Sequence, residues 1–194
     1  MNGIRAFFCI ELPRPVREQI RETADRIRDA ATMRARWVDA ANYHATIKFL
    51  GDIDPMLCVD LERIARRVAG RLEPFELALD RLGGFPSIGR ARVLWFGGDG
   101  PPSYRGLVAS IGHELRRLDF PHRPSDGLAH VTLARINGRP DPALTTIVER
   151  VGRPRAVTVP VDRIVLMRSE LTPAGARYAP LFTARLGGGD GDAD

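Results

Sequence analysis

Two tetrapeptides in this 194-residue chain carry side chains suited to proton chemistry at neutral pH: His44-Ala45-Thr46-Ile47 and His130-Val131-Thr132-Leu133. The pattern is His, any residue, Thr, aliphatic residue, written twice. On a strand successive side chains alternate between faces, so each copy presents His and Thr to one side and its aliphatic residues to the other. An unperturbed imidazole titrates near ~6.5, so of two facing one substrate, one can donate a proton while the other accepts one. Phosphodiester cleavage needs that pairing: water loses a proton as it attacks phosphorus, and the departing alkoxide gains one. Hydroxyls beside the imidazoles would donate to the non-bridging oxygens, where charge must be stabilised in the transition state. One His-x-Thr has almost no specificity, but two at equivalent places in a repeat favour catalysis over a structural role. His113, in a predicted helix, and His122, in a Pro-rich stretch, have no duplicate and read as structural or surface residues.

A zinc site is the chemical competitor, and the spacing argues against it. There is no His-Glu-x-x-His and no Cys-x-x-Cys, and Asp52 and Asp126 each lie near one motif without a counterpart at the other. Two histidines remain where a catalytic zinc takes three protein ligands, so no metal and no cofactor are expected.

The elements that must position the two motifs repeat as well. Ile4 to Leu12, rich in Phe and Ile and closed by Pro13 and Pro15, reads as a buried strand, and the spacing of Val16, Ile20, Ala24, Ile27 and Ala31 predicts an amphipathic helix. Arg36-Trp37-Val38 reads as a short strand before the first His strand, on which alternation places His44, Thr46, Lys48 and Leu50 on one face. A helix over 59–72 with Pro55 near its start, a strand over 75–82, a breaker-rich loop over 83–90 and a strand over 92–96 complete the first half. The loop Gly83-Gly84-Phe85-Pro86-Ser87-Ile88-Gly89-Arg90 lacks the residue order of a P-loop. After a boundary at 97–102 the pattern restarts: a helix over 104–118, the second His strand, a helix over 141–151, and strands over 156–161, 163–169 and 178–186. Both halves read helix, His strand, helix, strand, strand, with 86 residues between the histidines. The expectation is an α+β fold in one bilobal domain over 1–186, with halves near 1–98 and 99–186. Each lobe is an antiparallel sheet backed by helices, and the lobes face each other across a cleft. Residues 187–194 contain only Gly, Ala, and Asp and are expected to be a disordered tail.

The composition, 44% hydrophobic, can fill a substantial core, so disorder is not the default reading. No apolar run is long enough to span a bilayer, and no signal peptide is evident at the N-terminus, so a cytoplasmic monomer is expected. Cys9 and Cys58 read as reduced, buried thiols. The net charge of +5 suits a polyanionic partner without demanding one. Lys48 is the single lysine among 29 basic residues and falls on the predicted His44 face, which makes it a candidate phosphate contact.

At these residues the chain resembles the two-histidine (2H) phosphoesterases, in particular the bacterial and archaeal RNA 2',3'-cyclic phosphodiesterase branch, also called the 2'-5' RNA ligase family. The likeness spans almost the whole chain. It lies in Arg5-Ala6-Phe7-Phe8, Glu11-Leu12-Pro13, Trp37-Val38, and the run Asn42 to Gly51. It continues through Gly84-Phe85-Pro86, Arg92-Val93-Leu94-Trp95, His130 to Arg135, and Ser169-Glu170-Leu171 with Gly175 and Tyr178. The resemblance implies a bilobal fold and metal-independent opening of a terminal 2',3'-cyclic phosphate on RNA to a 2'-phosphate, with some relatives also joining or cleaving 2'-5' linkages in tRNA halves. It makes His44 the proton donor to the 3'-oxygen and His130 the proton acceptor from water, with Thr46, Thr132 and Arg135 on phosphate oxygens. Strict alternation places Arg135 on the face away from His130, so its role requires a bulge or a strand end. Ala129 stands where relatives commonly have Pro. Phe7 and Trp37 are candidates to stack on a base, with a core role the stronger reading. The competing functions are a catalytically silent RNA-binding module and a 2H enzyme for another cyclic or 2'-5' linked nucleotide.

Overall fold

The computed structural model describes residues 3–120, 127–138, 141, 143–172 and 175–188. In chain order its elements are β1 (Ile4–Glu11), α1 (Arg14–Ala30), β2 (Ala35–Trp37), β3 (His44–Ile53), α2 (Cys58–Ala69), β4 (Phe75–Leu79) and β5 (Arg81–Phe85). There follow β6 (Val93–Asp99), α3 (Pro102–Leu115), β7 (Leu128–Ile136), α4 (Leu144–Val151), β8 (Val157–Val161), β9 (Arg163–Thr172) and β10 (Gly175–Arg185). The α+β class and the antiparallel sheets are those expected from the repeat. The main sheet runs β10-β9-β1-β3-β7-β6-β5, with β2 pairing along β7, while β4 and β8 form a separate ribbon.

The apolar run of β1 has no alternation because both of its faces are covered. Ala6, Phe8 and Ile10 enter the main core beneath the helices, and Phe7 and Cys9 point the other way into a small cluster with Val165, Met167 and Tyr178. Phe8 is wholly buried, a contribution of about 1.5–3 kcal/mol. β9 repeats the two-sided pattern, with Ile164 and Leu166 on the core side and Val165 and Met167 on the other. The helices bury the stripes that their periodicity marks: Val16, Ile20, Ala24 and Ile27 on α1, and Leu61, Ile64, Ala65 and Val68 on α2. α2 packs on β9, β10 and α3, whereas α1 packs on α4 and β8.

The two wings of the sheet do not divide at the sequence boundary between 1–98 and 99–186. β9 and β10, late in the chain, complete the wing that holds β1 and β3; β2, β5 and β6, all early, complete the wing that holds β7. The predicted strand over 75–82 breaks at Asp80 into β4 and β5, which belong to different sheets. The predicted loop over 83–90 is strand through Phe85, followed by a 3-10 turn at Ile88–Arg90, and the predicted boundary at Gly97-Gly98 lies inside β6. Here glycine marks close packing and not a break. A Cβ on Gly83 would lie 2.0 Å from the Trp95 indole of the neighbouring strand.

Cys9 and Cys58 are both free thiols, and the Cys9 thiol is pushed up by burial. No helix among the described residues is long and apolar enough to cross a membrane. Of the expected tail, Gly187 donates its N–H to the Leu72 carbonyl at 2.8 Å, and 189–194 lie outside the described residues, as do His122 and Asp126. Replacing Gly83 by Ala must displace the Trp95 indole, and the expected loss is about 1–3 kcal/mol of stability. Urea unfolding checks this, and an unchanged midpoint would contradict the packing of β5 on β6.

Candidate active site

β3 and β7 join the wings where Ala45 stands opposite Val131, both wholly buried. One step either way in this antiparallel register sets His44 across from Thr132 and Thr46 across from His130. Each imidazole therefore has its own Thr two residues along the strand and the other motif's Thr across it. All four side chains are half-buried on the face away from the helices.

The fourth residue of each motif then changes the geometry. Cys9 pairs with Thr46 but Phe8 pairs with Lys48, so β3 carries Ile47 as an extra residue. Trp95 pairs with Thr132 but Leu94 pairs with Ala134, so β7 carries Leu133 as an extra residue. Each is a β-bulge directly after the motif's Thr, and each reverses the parity that follows. Arg135 thus returns to the His130 face, where it is exposed. Lys48, by contrast, shares a face with its partner Phe8, whose ring lies in the main core, so the predicted placement of Lys48 beside His44 is corrected. The residue that takes the equivalent of Arg135's position on β3 is Phe49, which is 60% exposed.

His44 is held on three sides. Its Nδ1 lies 2.8 Å from the Asn42 carbonyl, which only accepts, so Nδ1 carries the proton and Nε2 is left for exchange. Asn42 ends a 3-10 turn at Ala40–Asn42, which is capped by the Asp39 carboxylate accepting from the Ala41 N–H at 2.8 Å. The Asn42 side-chain amide donates to the Ala176 carbonyl at 3.0 Å, tying the turn to β10. The Phe7 ring stacks on the imidazole at 4.7 Å and 27°, and Tyr178 meets it edge-on at 5.1 Å and 88°. Phe7 is only 2% exposed: its face is used by His44 itself, in place of the base suggested for it. Trp37 packs against the main core and pairs with Ala134.

His130 sits in a matching aromatic setting, with Phe85 edge-on at 5.0 Å and Trp95 at 6.2 Å. Gly97 stands opposite it on β6, where a Cβ would come within 3.1 Å of the His130 Cβ. Phe7, Trp37, Phe49, Arg135 and Tyr178 line a cleft of about 760 Å³ together with Arg5 and Arg36. Among the described residues no three His, Cys, Asp or Glu side chains come together as a metal site would require. Asn42, Phe85, Trp95 and Tyr178 fall within the stretches that carry the family resemblance, but their support of the imidazoles was not read from the sequence, because each acts through a cross-strand or turn contact.

A model of the family described as LigT like Phosphoesterase matches residues 10–95 and 100–178, taking in both His-x-Thr strands. The chain belongs to that family. The RNA 2',3'-cyclic phosphodiesterase of Methanothermobacter thermautotrophicus is 30% identical over 185 residues, which cover 94% of this chain and 99% of that protein. A protein of the same name from Aeropyrum pernix is 33% identical over 151 residues, 76% of this chain and 84% of its own. The crystal structure of TT0787 of Thermus thermophilus superposes with a TM-score of 0.76 at 26% identity, covering 96% of this chain and 100% of that one. Escherichia coli LigT complexed with 3'-AMP gives a TM-score of 0.71 at 28% identity, covering 95% and 98%.

In this LigT-like site the imidazoles are close enough to affect each other. Burial is the main cause holding His44 below the ordinary imidazole range; the charges of His130 and Arg135 push the same way, and the Asn42 carbonyl opposes them. Without ligand, His44 is therefore neutral at pH 7 to a greater extent than a free imidazole with its midpoint near ~6.5. An NMR titration of the ring should place its midpoint below that value, and Arg135→Gln should raise it by removing a nearby positive charge. A midpoint at or above ~6.5 in the unaltered protein would contradict the buried setting.

Proposed function

We propose that this LigT-like phosphoesterase hydrolyses the terminal 2',3'-cyclic phosphate of RNA to a 2'-phosphate by two-histidine acid and base catalysis. The observation that carries the reading is the crossed arrangement of two imidazoles and two threonine hydroxyls on one face of the sheet, in a chain whose relatives are named for that activity. His130 takes a proton from the water that attacks phosphorus. The P–O3' bond breaks as the new P–O bond forms, and His44 delivers the proton from Nε2 to the departing 3'-oxygen. Water is consumed, and a 2'-phosphate and a 3'-hydroxyl are produced. The Thr46 and Thr132 hydroxyls donate to the non-bridging oxygens, and the Arg135 guanidinium supplies a fixed positive fork at the same phosphate. No metal is required, since the charge is met by these donors and the proton transfers by the imidazoles.

The low pKa of His44 suits this role once substrate is present. A phosphodiester anion beside the ring favours its charged form, so binding raises the pKa and loads the acid. Because the protonated form of the acid is the active one, its limb of the pH profile is descending. That limb should therefore lie at higher pH in kcat, which reports the complex, than in kcat/KM, which reports the free enzyme. Coincident limbs would refute the loading of His44 by substrate.

Phosphorus NMR of the product from a cyclic-phosphate oligoribonucleotide should show the 2'-phosphate monoester. His44→Ala and His130→Ala should each lower kcat by about 10²–10⁴-fold, and Arg135→Gln by roughly 100-fold. Near-normal turnover in either histidine variant would sink the mechanism, and loss of activity in EDTA with recovery on adding zinc would overturn metal independence. RNA binding without turnover across a broad pH range would leave the silent binding module.

A further inference from the structure

Phe7, Tyr178 and Arg135, which surround the reacting position, also border the part of the cleft that reaches Arg5, Arg36 and Phe49. Arginine is so common in this chain that a guanidinium near a cleft means little by itself. What joins these is the cleft they border, where Arg28 holds Asp25 and the other arginines have no carboxylate partner among the described residues. Arg5, Arg36 and Arg135 make no ion pair among the described residues, although Asp52 stands across from Arg5 on β3. Among the described residues, Asp39 is the carboxylate that borders the cleft, and it is engaged by the Ala41 N–H.

Arg36 and Arg135 are also direct cross-strand partners on β2 and β7. Like charges placed opposite each other on antiparallel strands repel, and an anion between or beside them removes the penalty. One reacting phosphate at Arg135 leaves Arg36 and Arg5 unneutralised. Phe49 borders the same cleft, 60% exposed, with its ring centroid 5.8 Å from that of Phe7, the ring that stacks on His44. Unpaired arginines beside an open aromatic ring are what single-stranded RNA recognition uses, cations along the backbone and a platform for a base. The polarity of the substrate agrees: a 2',3'-cyclic phosphate ends the chain, so every other nucleotide lies on its 5' side and must leave the histidines through a groove.

We propose that Arg5, Arg36 and Phe49 form a subsite for the nucleotide next to the reacting end. Arg36 and Arg5 hold its phosphate and Phe49 stacks on its base, so the substrate is an RNA strand of at least two nucleotides and not a nucleoside cyclic phosphate. The proposal rests on the phosphodiesterase reading above for the identity of the reacting end.

The test compares kcat/KM for a tetraribonucleotide ending in 2',3'-cyclic phosphate with that for the matching nucleoside 2',3'-cyclic phosphate. Binding of a 5'-labelled tetraribonucleotide ending in 2'-phosphate is followed by anisotropy, with the nucleoside monophosphate as competitor. The unaltered protein should prefer the longer substrate by roughly tenfold or more, increasingly so at low salt. Arg36→Gln, Arg5→Gln and Phe49→Ala should each shrink that ratio several-fold. Arg63→Gln, which removes an exposed α2 arginine paired with Asp60, should leave it unchanged. A ratio near one in the unaltered protein, or a ratio that the three groove variants leave intact, overturns the subsite. If neither substrate turns over, the phosphodiesterase reading fails and binding decides the groove. Tighter binding of the tetranucleotide that weakens in Arg36→Gln supports it, and equal binding of long and short ligands overturns it.

Discussion

The buried contact between Ala45 and Val131 is the joint on which the chemistry of this protein depends, because it fixes two wings of one sheet in a single register. The two residues lie on the core side, under the helices, where neither is accessible to solvent. Their neighbours in sequence lie on the other side, and those neighbours are the two histidines and two threonines. A slip of one residue would carry His and Thr into the core and the aliphatic residues into the cleft. The hydrophobic effect that seats Ala45, Ile47, Val131 and Leu133 thus also sets the relative position of the two imidazoles and two hydroxyls.

The wings are tied together a second time by the interleaving of their strands. β9 and β10 lie beside β1, and β5 and β6 lie beside β7, so neither wing is complete without chain from the other half. One consequence reaches His44 directly: Tyr178, on β10, closes the edge of the imidazole, while Phe7, on β1, covers its face. Burial between these rings lowers the affinity of His44 for a proton, and the Asn42 carbonyl fixes which nitrogen holds the one that remains. The same aromatic packing that positions the imidazole proposed as the acid therefore makes its charge sensitive to the arrival of an anion.

The two bulges do the remaining work at the site. Each inserts an aliphatic residue, Ile47 or Leu133, directly after the motif's Thr, and each turns the strand so that the fifth residue after His faces the cleft. On β7 that residue is Arg135 and on β3 it is Phe49. The pseudo-symmetric scaffold therefore presents unlike chemistry from equivalent positions, a cation from one strand and an aromatic ring from the other, both bordering the same cleft.

Much of this was legible in the residues. The duplicated His-x-Thr motif, the α+β alternation, the amphipathic stripes of α1 and α2 and the two-sided burial of β1 follow from side-chain type and period, properties that each short segment carries by itself. Gly83, Gly97 and Gly98 misled as breakers, since their reason is a neighbouring strand: the Trp95 indole fills the space a side chain at Gly83 would need, and backbone carbonyls of β7 and β4 crowd Gly97 and Gly98. Lys48 and Arg135 were assigned to the wrong faces by strict alternation, because a bulge is made by a pairing partner and leaves no mark in local spacing. The sequence by itself determined which chemical groups this protein brings to a phosphate and which elements carry them. Only the tertiary structure decided which strands share a wing, where the strands bulge and which cations reach the cleft, because these depend on contacts between residues far apart in the chain.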